Sequence, residues 1–159
     1  MPETVCSGVS EMSGRRYVLT IPGTPSPWRA PTVHIAKRKD GSQKPVFLKG
    51  RPEKQWQDRV WQAAQDAKLP YTEGPVHIHI LVVYPRPKSW PKTKRLARQS
   101  KLSKPDGANL LKATEDPLQG IVVRNDSQFF DESITRYYGE PGEAAHTTIV
   151  FLYEERNKR

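Results

Sequence analysis

The sequence predicts an α+β fold, because several β-rich runs are interrupted by two segments with helical periodicity. The first β-rich run is RYVLTIPG at residues 16–23, which a proline and a glycine end. At 159 residues the chain has the size of one ordinary domain. We therefore expect a single domain over residues 15–154, a disordered tail at 1–14 and a polar tail at 155–159.

The other elements follow from local patterns along the chain. Residues 32–48 read as a hairpin with an Asp-Gly turn. Residues 51–68 place tryptophan, valine and alanines at helical spacing, which predicts an amphipathic helix packed on a sheet. GPVHIHILVVYP at 74–85 is the most apolar run and predicts a central strand. The β-rich runs at 127–139 and 146–155 predict a closing hairpin.

The composition points to an anionic partner. Lys and Arg number 26 against 17 Asp and Glu, which gives a formal charge of +9. Nucleic acid is the leading partner class, although a basic balance alone also fits an ordinary soluble protein. The lone Cys6 excludes a disulfide framework or a thiolate zinc cluster within this sequence and fits a reducing cytosol. No stretch has the apolar length needed to cross a bilayer, so we expect a cytoplasmic protein without a membrane partner.

The positive charge is concentrated in two segments. Residues 86–104 contain eight Lys or Arg and no acid, and Trp90 offers a ring for stacking among them. The hairpin at 32–48 carries a second group near its turn, for which a solvated loop is an equally good interpretation. The predicted DNA-binding cations are Lys37, Arg38, Lys39, Lys88, Lys92, Lys94, Arg95, Arg98, Lys101 and Lys104.

His77 and His79 alternate on the central strand and project to the same face. Two such histidines could bind a metal. No cysteine and no adjacent carboxylate in the sequence supports that site, so we favour a structural role for both.

KPDGANLLKATEDPLQG, residues 104–120, predicts a short helix that starts near Ala108 or Asn109 and ends before a proline. Asn109, Lys112 and Asp116 share one polar face of this helix, close to Asp106. That stripe is either the wall of a site or a surface facing water, and periodicity alone favours the surface.

The order of these residues resembles a known family. K-P-D-x-x-N-L-x-K, then D-x-L, then D-S-Q on a predicted strand, is similar to the RusA family of Holliday junction resolvases. The motif of that family is approximately K-P-D-x-D-N-L-x-K followed by D-D-x-Q. The matching residues are Lys104, Pro105, Asp106, Asn109, Leu110, Lys112, Asp116, Leu118, Asp126 and Gln128.

The resemblance implies a RusA-like homodimer in which two main helices pack on a mixed β-sheet. It implies an endodeoxyribonuclease that binds four-way (Holliday) junctions and resolves them by paired symmetric nicks, with Mg²⁺ or Mn²⁺ as cofactor. The protein would act in a bacterial host cell, and its gene would belong either to the bacterium or to a phage or prophage. By position, the catalytic set is Asp106, Ala108, Lys112 and Asp126, and Asn109 is a DNA-contacting residue that orients the site. The implied metal ligands are Asp106, position 108 and Asp126.

Two positions depart from the family motif. Ala108 stands where the second aspartate belongs, and Asn125 stands at the first position of the aspartate pair. Mg²⁺ needs oxygen ligands in near-octahedral geometry, and alanine offers none. We interpret Ala108 as the replacement of a catalytic aspartate that leaves the chain inactive or impaired. Both a deliberate substitution and a native pseudo-resolvase fit, and Asn125 is either a second neutralising change or natural variation.

Two other functions fit the same charge pattern. A non-catalytic branched-DNA-binding protein would share every binding feature and differ only in its acids. A small basic RNA-binding protein is the third hypothesis, although no aromatic strand typical of RNA-recognition modules is present in the sequence. Junction cleavage after restoring an aspartate at position 108 distinguishes the resolvase from the non-catalytic DNA-binding protein. Competition between an RNA duplex and a four-way DNA junction tests the RNA-binding hypothesis.

Overall fold

A computed structural model describes residues 14–48, 50–91 and 97–155 of the chain. The elements are β1 (Gly14–Pro22), β2 (Thr32–Lys37), β3 (Gln43–Leu48), α1 (Arg51–Asp66), β4 (Val76–Tyr84), β5 (Gln99–Ser100), α2 (Gly107–Glu115), β6 (Phe129–Tyr138) and β7 (His146–Glu154). Single 3₁₀ turns at Asp116–Leu118 and Asp126–Gln128 follow α2 and precede β6. The two predicted tails fall mainly outside the described residues and stay predictions.

Five strands form one mixed sheet in the order β1-β7-β4-β6-β5. The central strand β4 pairs in parallel with β6 and antiparallel with β7. Its buried residues Ile78, Ile80 and Val82 alternate with residues that are partly exposed, so one face of the sheet carries the core. The predicted α+β class, the mixed sheet and the central position of this strand are confirmed.

The predicted closing hairpin is wrong. Strands β6 and β7 do not pair with each other, because β4 lies between them. The turn at residues 140–142 exists, with Gly142 at φ 80°, but it begins a connection that crosses to the other side of β4. Placing the most apolar strand between two long partners satisfies both of its edges, which a local hairpin would not do.

Both helices pack on the buried face of the sheet. Trp56, Val60 and Ala64 recur at helical spacing on α1 and are buried in the core. The Trp56 indole N–H donates to the hydroxyl oxygen of Thr114 on α2 (3.2 Å), and that hydroxyl donates to the carbonyl of Leu110 (2.8 Å). This chain of hydrogen bonds fixes α2 against α1. Neither helix, within the described part of the chain, has the length and apolar character to span a membrane.

The predicted hairpin over residues 32–48 is confirmed as a separate two-stranded antiparallel sheet of β2 and β3. Gly41 has φ 82°, and the Asp40 carboxylate accepts hydrogen bonds from the backbone and hydroxyl of Ser42 (2.9 and 2.6 Å). These bonds lower the pKa of Asp40. The turn therefore holds exposed cations at the end of a projecting arm.

The opposite face of the sheet carries His77 and His79, as predicted. The structure corrects the expectation of no neighbouring carboxylate, because Nδ1 of His77 lies 2.9 Å from Asp131 Oδ2 and Nε2 lies 3.0 Å from Glu154 Oε1. Partial burial lowers the pKa of His77, but its hydrogen bonds to the two carboxylates outweigh burial and the net pKa is raised. With both ring nitrogens bonded, His77 ties β4 to both of its neighbours.

Candidate active site

The acidic motif begins at the N-terminus of α2. Asp106 is the N-cap residue, its backbone is extended, and its carboxylate makes no capping hydrogen bond. The helix starts at Gly107, one residue before the predicted start. A Cβ atom on Gly107 would lie 2.9 Å from Cγ2 of Ile134, so glycine permits the close approach of α2 to β6. Because the Asp106 carboxylate is exposed and makes no capping bond, it remains available to a ligand at this end of the helix.

Asp106 borders a surface cleft between α2 and the segment that joins β1 to β2. The cleft has a volume of about 520 Å³ and is lined by Pro27, Trp28, Arg29, Lys104, Pro105, Asp106 and Asn109. The backbone N–H of Trp28 donates to the carbonyl of Asn109 (3.0 Å), which holds the joining segment against the helix. Arg29 and Lys104 line this cleft with Asp106, and an excess of cations over carboxylates in one cleft attracts a phosphate.

Trp28 and Arg29 were not among the predicted site residues. Their signal in the sequence is SPWR, an aromatic next to a cation in a proline-rich segment between two strands. Nothing in that local pattern shows which helix the segment contacts.

Lys112 is held by an aromatic ring at the side of this cleft. Its Nζ lies 3.9 Å from the centroid of the Trp28 ring, a cation–π contact. Lys112 is exposed, and so is Ala108 one helical turn before it. The contact restricts the ammonium without neutralising it, so its charge remains available to an anion.

Asp126 begins a 3₁₀ turn directly before β6, whereas the sequence predicted that this motif lies on a strand. The side chain of Asn125 caps the backbone N–H of Gln128, and Oε1 of Gln128 accepts from the backbone N–H of Asn125 (3.1 Å). Nε2 of Gln128 donates to the carbonyls of Thr72 (3.0 Å) and Gly74 (2.9 Å). Gln128 therefore uses its whole amide group to fix the backbone that carries Asp126.

The same cap gives Asn125 a structural role. Asparagine and aspartate are both good N-cap acceptors. The turn is therefore compatible with either residue at this position of the family motif.

Two further carboxylates that the sequence analysis did not select lie near the end of α2. Burial, followed by the charges of Glu132, Asp126 and Asp116, raises the pKa of Glu115 to about 7. Burial also raises the pKa of Glu132, followed by the charge of Asp126. Glu115 is next to a motif residue in the sequence, but its burial against β6 is a tertiary effect that the helix pattern does not reveal.

Part of the predicted DNA-binding loop is engaged in internal contacts. Lys101 is buried, and its ammonium donates to the carbonyl (3.2 Å) and hydroxyl (2.6 Å) oxygens of Ser103 and to the carbonyl of Lys104 (2.7 Å). Its Nζ also lies 4.8 Å and 5.4 Å from the ring centroids of Tyr84 and Tyr138. Lys101 organises the loop from inside, which differs from the exposed DNA contact that its charge predicted.

Two other side chains of this loop pack against neighbours. Nε of Arg98 donates to both carboxylate oxygens of Glu143 (3.0 and 3.2 Å), so part of its charge is neutralised. The Trp90 ring, predicted as a stacking platform, packs edge-on against Tyr138 at 5.0 Å and lies under the guanidinium of Arg86. The loop is therefore a packed structure as well as a basic one.

The other cations predicted to contact DNA are either exposed or lie outside the described residues. The exposed cations are Lys37, Arg38, Lys39, Lys88 and Lys104. Lys92, Lys94 and Arg95 lie outside the described residues. The structure places Lys104 and Asn109 in the cleft with Asp106, and the electrostatic neighbours of Asp126 are Glu115 and Glu132.

The three positions that the resemblance assigns to a divalent metal do not fit a three-carboxylate cage. Position 108 is alanine. Asp106 lies at the N-terminus of α2, whereas Asp126 is an electrostatic neighbour of Glu115, the last residue of that helix. A nine-residue helix is ~13 Å long. Across residues 14–48, 50–91 and 97–155, no three His, Cys, Asp or Glu side chains are grouped so that they could hold a metal ion.

Comparison with known proteins gives the family. The family described as "Endodeoxyribonuclease RusA" matches residues 22–149. A curated relative, "Uncharacterized protein YqaN" of Bacillus subtilis (strain 168), is 30% identical in an alignment of 73 residues that covers 42% of this chain and 51% of that protein. The match thus spans about half the length of that relative. Because the family match extends over well more than half of the sequence, this chain belongs to the RusA endodeoxyribonuclease family.

Proposed function

We propose that this chain binds four-way DNA junctions as a homodimer and resolves them by paired nicks, with Mg²⁺ or Mn²⁺ as the cofactor. In this proposal Ala108 weakens the cleavage step. The observation that carries it is the cleft at the N-terminus of α2, which an exposed Asp106 lines together with Arg29 and Lys104. Membership of an endodeoxyribonuclease family supports a phosphodiester as the bond that is cut.

The cations have separate roles in this proposal. Lys112, held against Trp28, faces the phosphate that is cut, where a positioned charge acts mainly on the transition state. Lys37, Arg38 and Lys39 on the projecting arm contact phosphates further away and contribute to affinity.

A divalent ion would neutralise charge on the reacting phosphate and lower the pKa of an attacking water. The residues that the family motif assigns to it do not form a complete cage here. We therefore assign only positioning and charge to the protein side chains of the cleft. Asp106 and Asp126 are the carboxylates of the motif that remain, and both are exposed.

A homodimer follows from the geometry of the substrate in this proposal. A four-way junction has two equivalent strands that must be cut, and a two-fold dimer presents two identical sites to them. Light scattering of the purified chain, alone and with junction DNA, tests the dimer.

Non-catalytic binding of branched DNA is the second candidate function. The alanine at position 108 favours it, because the side chain supplies no metal ligand. The exposed cations of the cleft and of the projecting arm would serve this function equally well.

A paired assay of one junction substrate distinguishes the two functions. Native gels measure affinity for a four-way junction and for a linear duplex of the same sequence, and denaturing gels measure nicking in Mg²⁺ and in Mn²⁺. Tighter binding of the junction together with symmetric nicks supports the resolvase. Junction binding without nicks, even after Ala108→Asp, supports the binding protein, and equal affinity for both substrates contradicts both proposals.

A further inference from the structure

One face of the five-stranded sheet has no covering layer. Within the described residues, both helices pack on the other face, which carries the core. We call the uncovered side of β1, β7, β4 and β6 the open face. On it Val18 is 50% exposed, and Val150 and Leu152 beside it are partly exposed. Apolar residues grouped on an uncovered sheet face indicate a surface that packs against another protein layer.

Opposite charges lie at the two ends of one row across the open face. The strand registers align Arg16 with Leu152, Leu152 with His77 and His77 with Asp131, so these four side chains point to the same side of the sheet. Arg16 is exposed, and among the described residues its side chain forms no ion pair. Asp131 is also exposed. The row therefore runs from an unpaired cation on β1 to a carboxylate on β6.

A projecting side chain and a depression lie at the two ends of the neighbouring row. The registers align Val18 with Val150, Val150 with His79 and His79 with Ser133. A depression of about 190 Å³ lies at the far end of this row, where it is lined by His79, Ser133 and Asp131. A depression of this size holds several water molecules, which an aliphatic side chain can displace. In both rows, the β1 end is therefore complementary to the β6 end.

We propose that the open faces of two copies of this chain pack on each other around a two-fold axis parallel to the strands. This axis places β1 of one copy over β6 of the other, so each row meets a second row that runs in the opposite direction. Arg16 of one copy then faces Asp131 of the second copy, and Val18 faces the depression beside Ser133. Each contact occurs twice in the dimer. Sheets that pack face to face keep their strands within about 30° of each other, which agrees with this axis.

The charges select this axis over the alternative. A two-fold axis in the same plane but perpendicular to the strands would place each strand over its own copy, running in reverse. Arg16 would then lie over the other end of β1, near Thr20, and Asp131 over the other end of β6, near Thr135. That arrangement brings no opposite charges together.

The open face is large enough for a stable dimer. The four strands have nine or ten residues each. With a rise of ~3.3 Å per residue and ~4.8 Å between strands, they present about 600 Å² per copy. Two copies would bury about 1,200 Å², which exceeds the roughly 1,000 Å² expected of a specific interface. A second copy of the chain is therefore sufficient to cover the whole face.

The same axis brings both clefts to one end of the dimer. Gly107, at the start of α2, lies against Ile134 of β6. A rotation about an axis parallel to the strands does not exchange the two ends of the strands. The clefts beside Asp106 in the two copies therefore lie at the same end of the assembly, where one DNA junction can contact both. This use of the dimer rests on the proposed function, whereas self-association does not.

The test is sedimentation equilibrium of the full chain without DNA, across concentrations from micromolar to millimolar. Val18→Lys places a charge in the proposed contact. Val33→Lys on the hairpin is its matched control, because the two valines are similarly exposed (50% and 53%). Arg16→Glu and Asp131→Arg each bring like charges together, and the double variant restores opposite charges. Circular dichroism and thermal unfolding check that each variant is folded.

We expect the wild-type chain to be a dimer that Val18→Lys, Arg16→Glu and Asp131→Arg each weaken at least ~10-fold, because unpaired or like charges at an interface are costly. Val33→Lys should leave the dimer unchanged. The double variant Arg16→Glu/Asp131→Arg should recover most of the affinity. Asp131→Arg also removes the hydrogen bond to His77, and a purely local effect of that loss would not be rescued by a change on β1.

A wild-type chain that stays monomeric at every concentration overturns the inference. It is also overturned by a dimer that Val33→Lys weakens and Val18→Lys does not, or by the absence of rescue in the double variant. Reduced junction affinity of Val18→Lys with an unchanged dimer would assign the open face to DNA and overturn it as well. A chain that dimerises through this face but does not prefer a junction over a linear duplex refutes the proposed function and leaves the interface intact.

Discussion

Asn125 and Gln128 cap each other across the 3₁₀ turn that carries Asp126, so each side chain satisfies the backbone N–H of the other residue. Gln128 extends this arrangement, because Oε1 also accepts from the N–H of Arg124 (2.7 Å) and Nε2 donates to the Thr72 carbonyl (3.0 Å). The position of Asp126 therefore depends on an amide two residues away.

Gln128→Ala should destabilise the fold by about 3 kcal/mol, because two partly buried and two exposed hydrogen bonds, worth up to ~1 kcal/mol each, are lost together. Asn125→Asp is the matched control and should change stability by less than about 0.5 kcal/mol, since both side chains cap equally well. Urea unfolding monitored by tryptophan fluorescence measures both. Similar losses for the two variants would mean that charge at position 125, and not the amide of Gln128, governs the turn.

The elements of this fold were predictable from the sequence, but some of their pairings were not. Periodicity identified α1 and α2, and the apolar run identified β4, because these signals are local. The sequence could not show that β7 pairs with β4 instead of β6, since the partner of a strand depends on contacts distant in the chain. The two-residue β5 is too short for any pattern.

In the candidate site, too, the local motif was predictable from the sequence, whereas contacts between distant segments were not. The spacing around Asp106 and Lys112 gave the motif, but Trp28 reaches Lys112 only through the packing of a distant segment. Lys101 looks like any other cation in a basic run. Only the structure shows that its ammonium is buried among loop carbonyls.

Lys101 and Lys39 should therefore respond differently to removal of charge. With about six phosphate contacts, the slope of log K against log salt for junction binding should be near −5. Lys39→Ala, on the exposed arm, should reduce the magnitude of that slope by about one unit and leave stability unchanged. Lys101→Met should leave the slope unchanged and lower stability, because its three internal bonds are lost. The salt series with both variants checks this, and a larger slope change for Lys101→Met would place its charge at the DNA.

Glu115 should make stability depend on pH. Its pKa is raised from 4.5 to about 7, so between these values the folded chain holds a proton that the unfolded chain has released. The free energy of unfolding should therefore fall as pH rises from about 4.5 to 7, by at most about 3 kcal/mol from this group. Above pH 7 the full loss remains.

Glu115→Gln resembles the protonated form and should remove this dependence. In EDTA the variant should equal the wild type near pH 4.5 and exceed it in stability near pH 8. Urea midpoints across that range measure the difference. A variant that is less stable at pH 8 would show that the ionised Glu115 has a stabilising partner.

Lys112→Ala should reduce cleavage far more than junction affinity when it is made in the Ala108→Asp background. The Trp28 ring holds the ammonium near the cleft, and a charge positioned at the reacting phosphate contributes mainly to the transition state. A loss of about 10²-fold or more in single-turnover rate is expected, with affinity changed only a few-fold. Lys112→Arg keeps the charge and the ring contact and should retain part of the rate. Equal losses in rate and affinity would instead give Lys112 a positioning role.

Ala108→Asp should increase nicking of a four-way junction without increasing affinity for it. Position 108 is exposed on α2, one turn before Lys112 and two residues after Asp106, so a carboxylate there is accessible to solvent and ions. It adds an oxygen ligand for Mg²⁺ and also a negative charge that the DNA phosphates must approach. Cleavage and affinity should therefore move in opposite directions.

Ala108→Asn supplies an oxygen without the charge and separates the two effects, since it should leave affinity unchanged and restore less cleavage. Denaturing gels of junction nicking in Mg²⁺, with affinities from native gels, measure both. Efficient nicking by the alanine chain, unaltered by Ala108→Asp, would show that the carboxylates already present suffice.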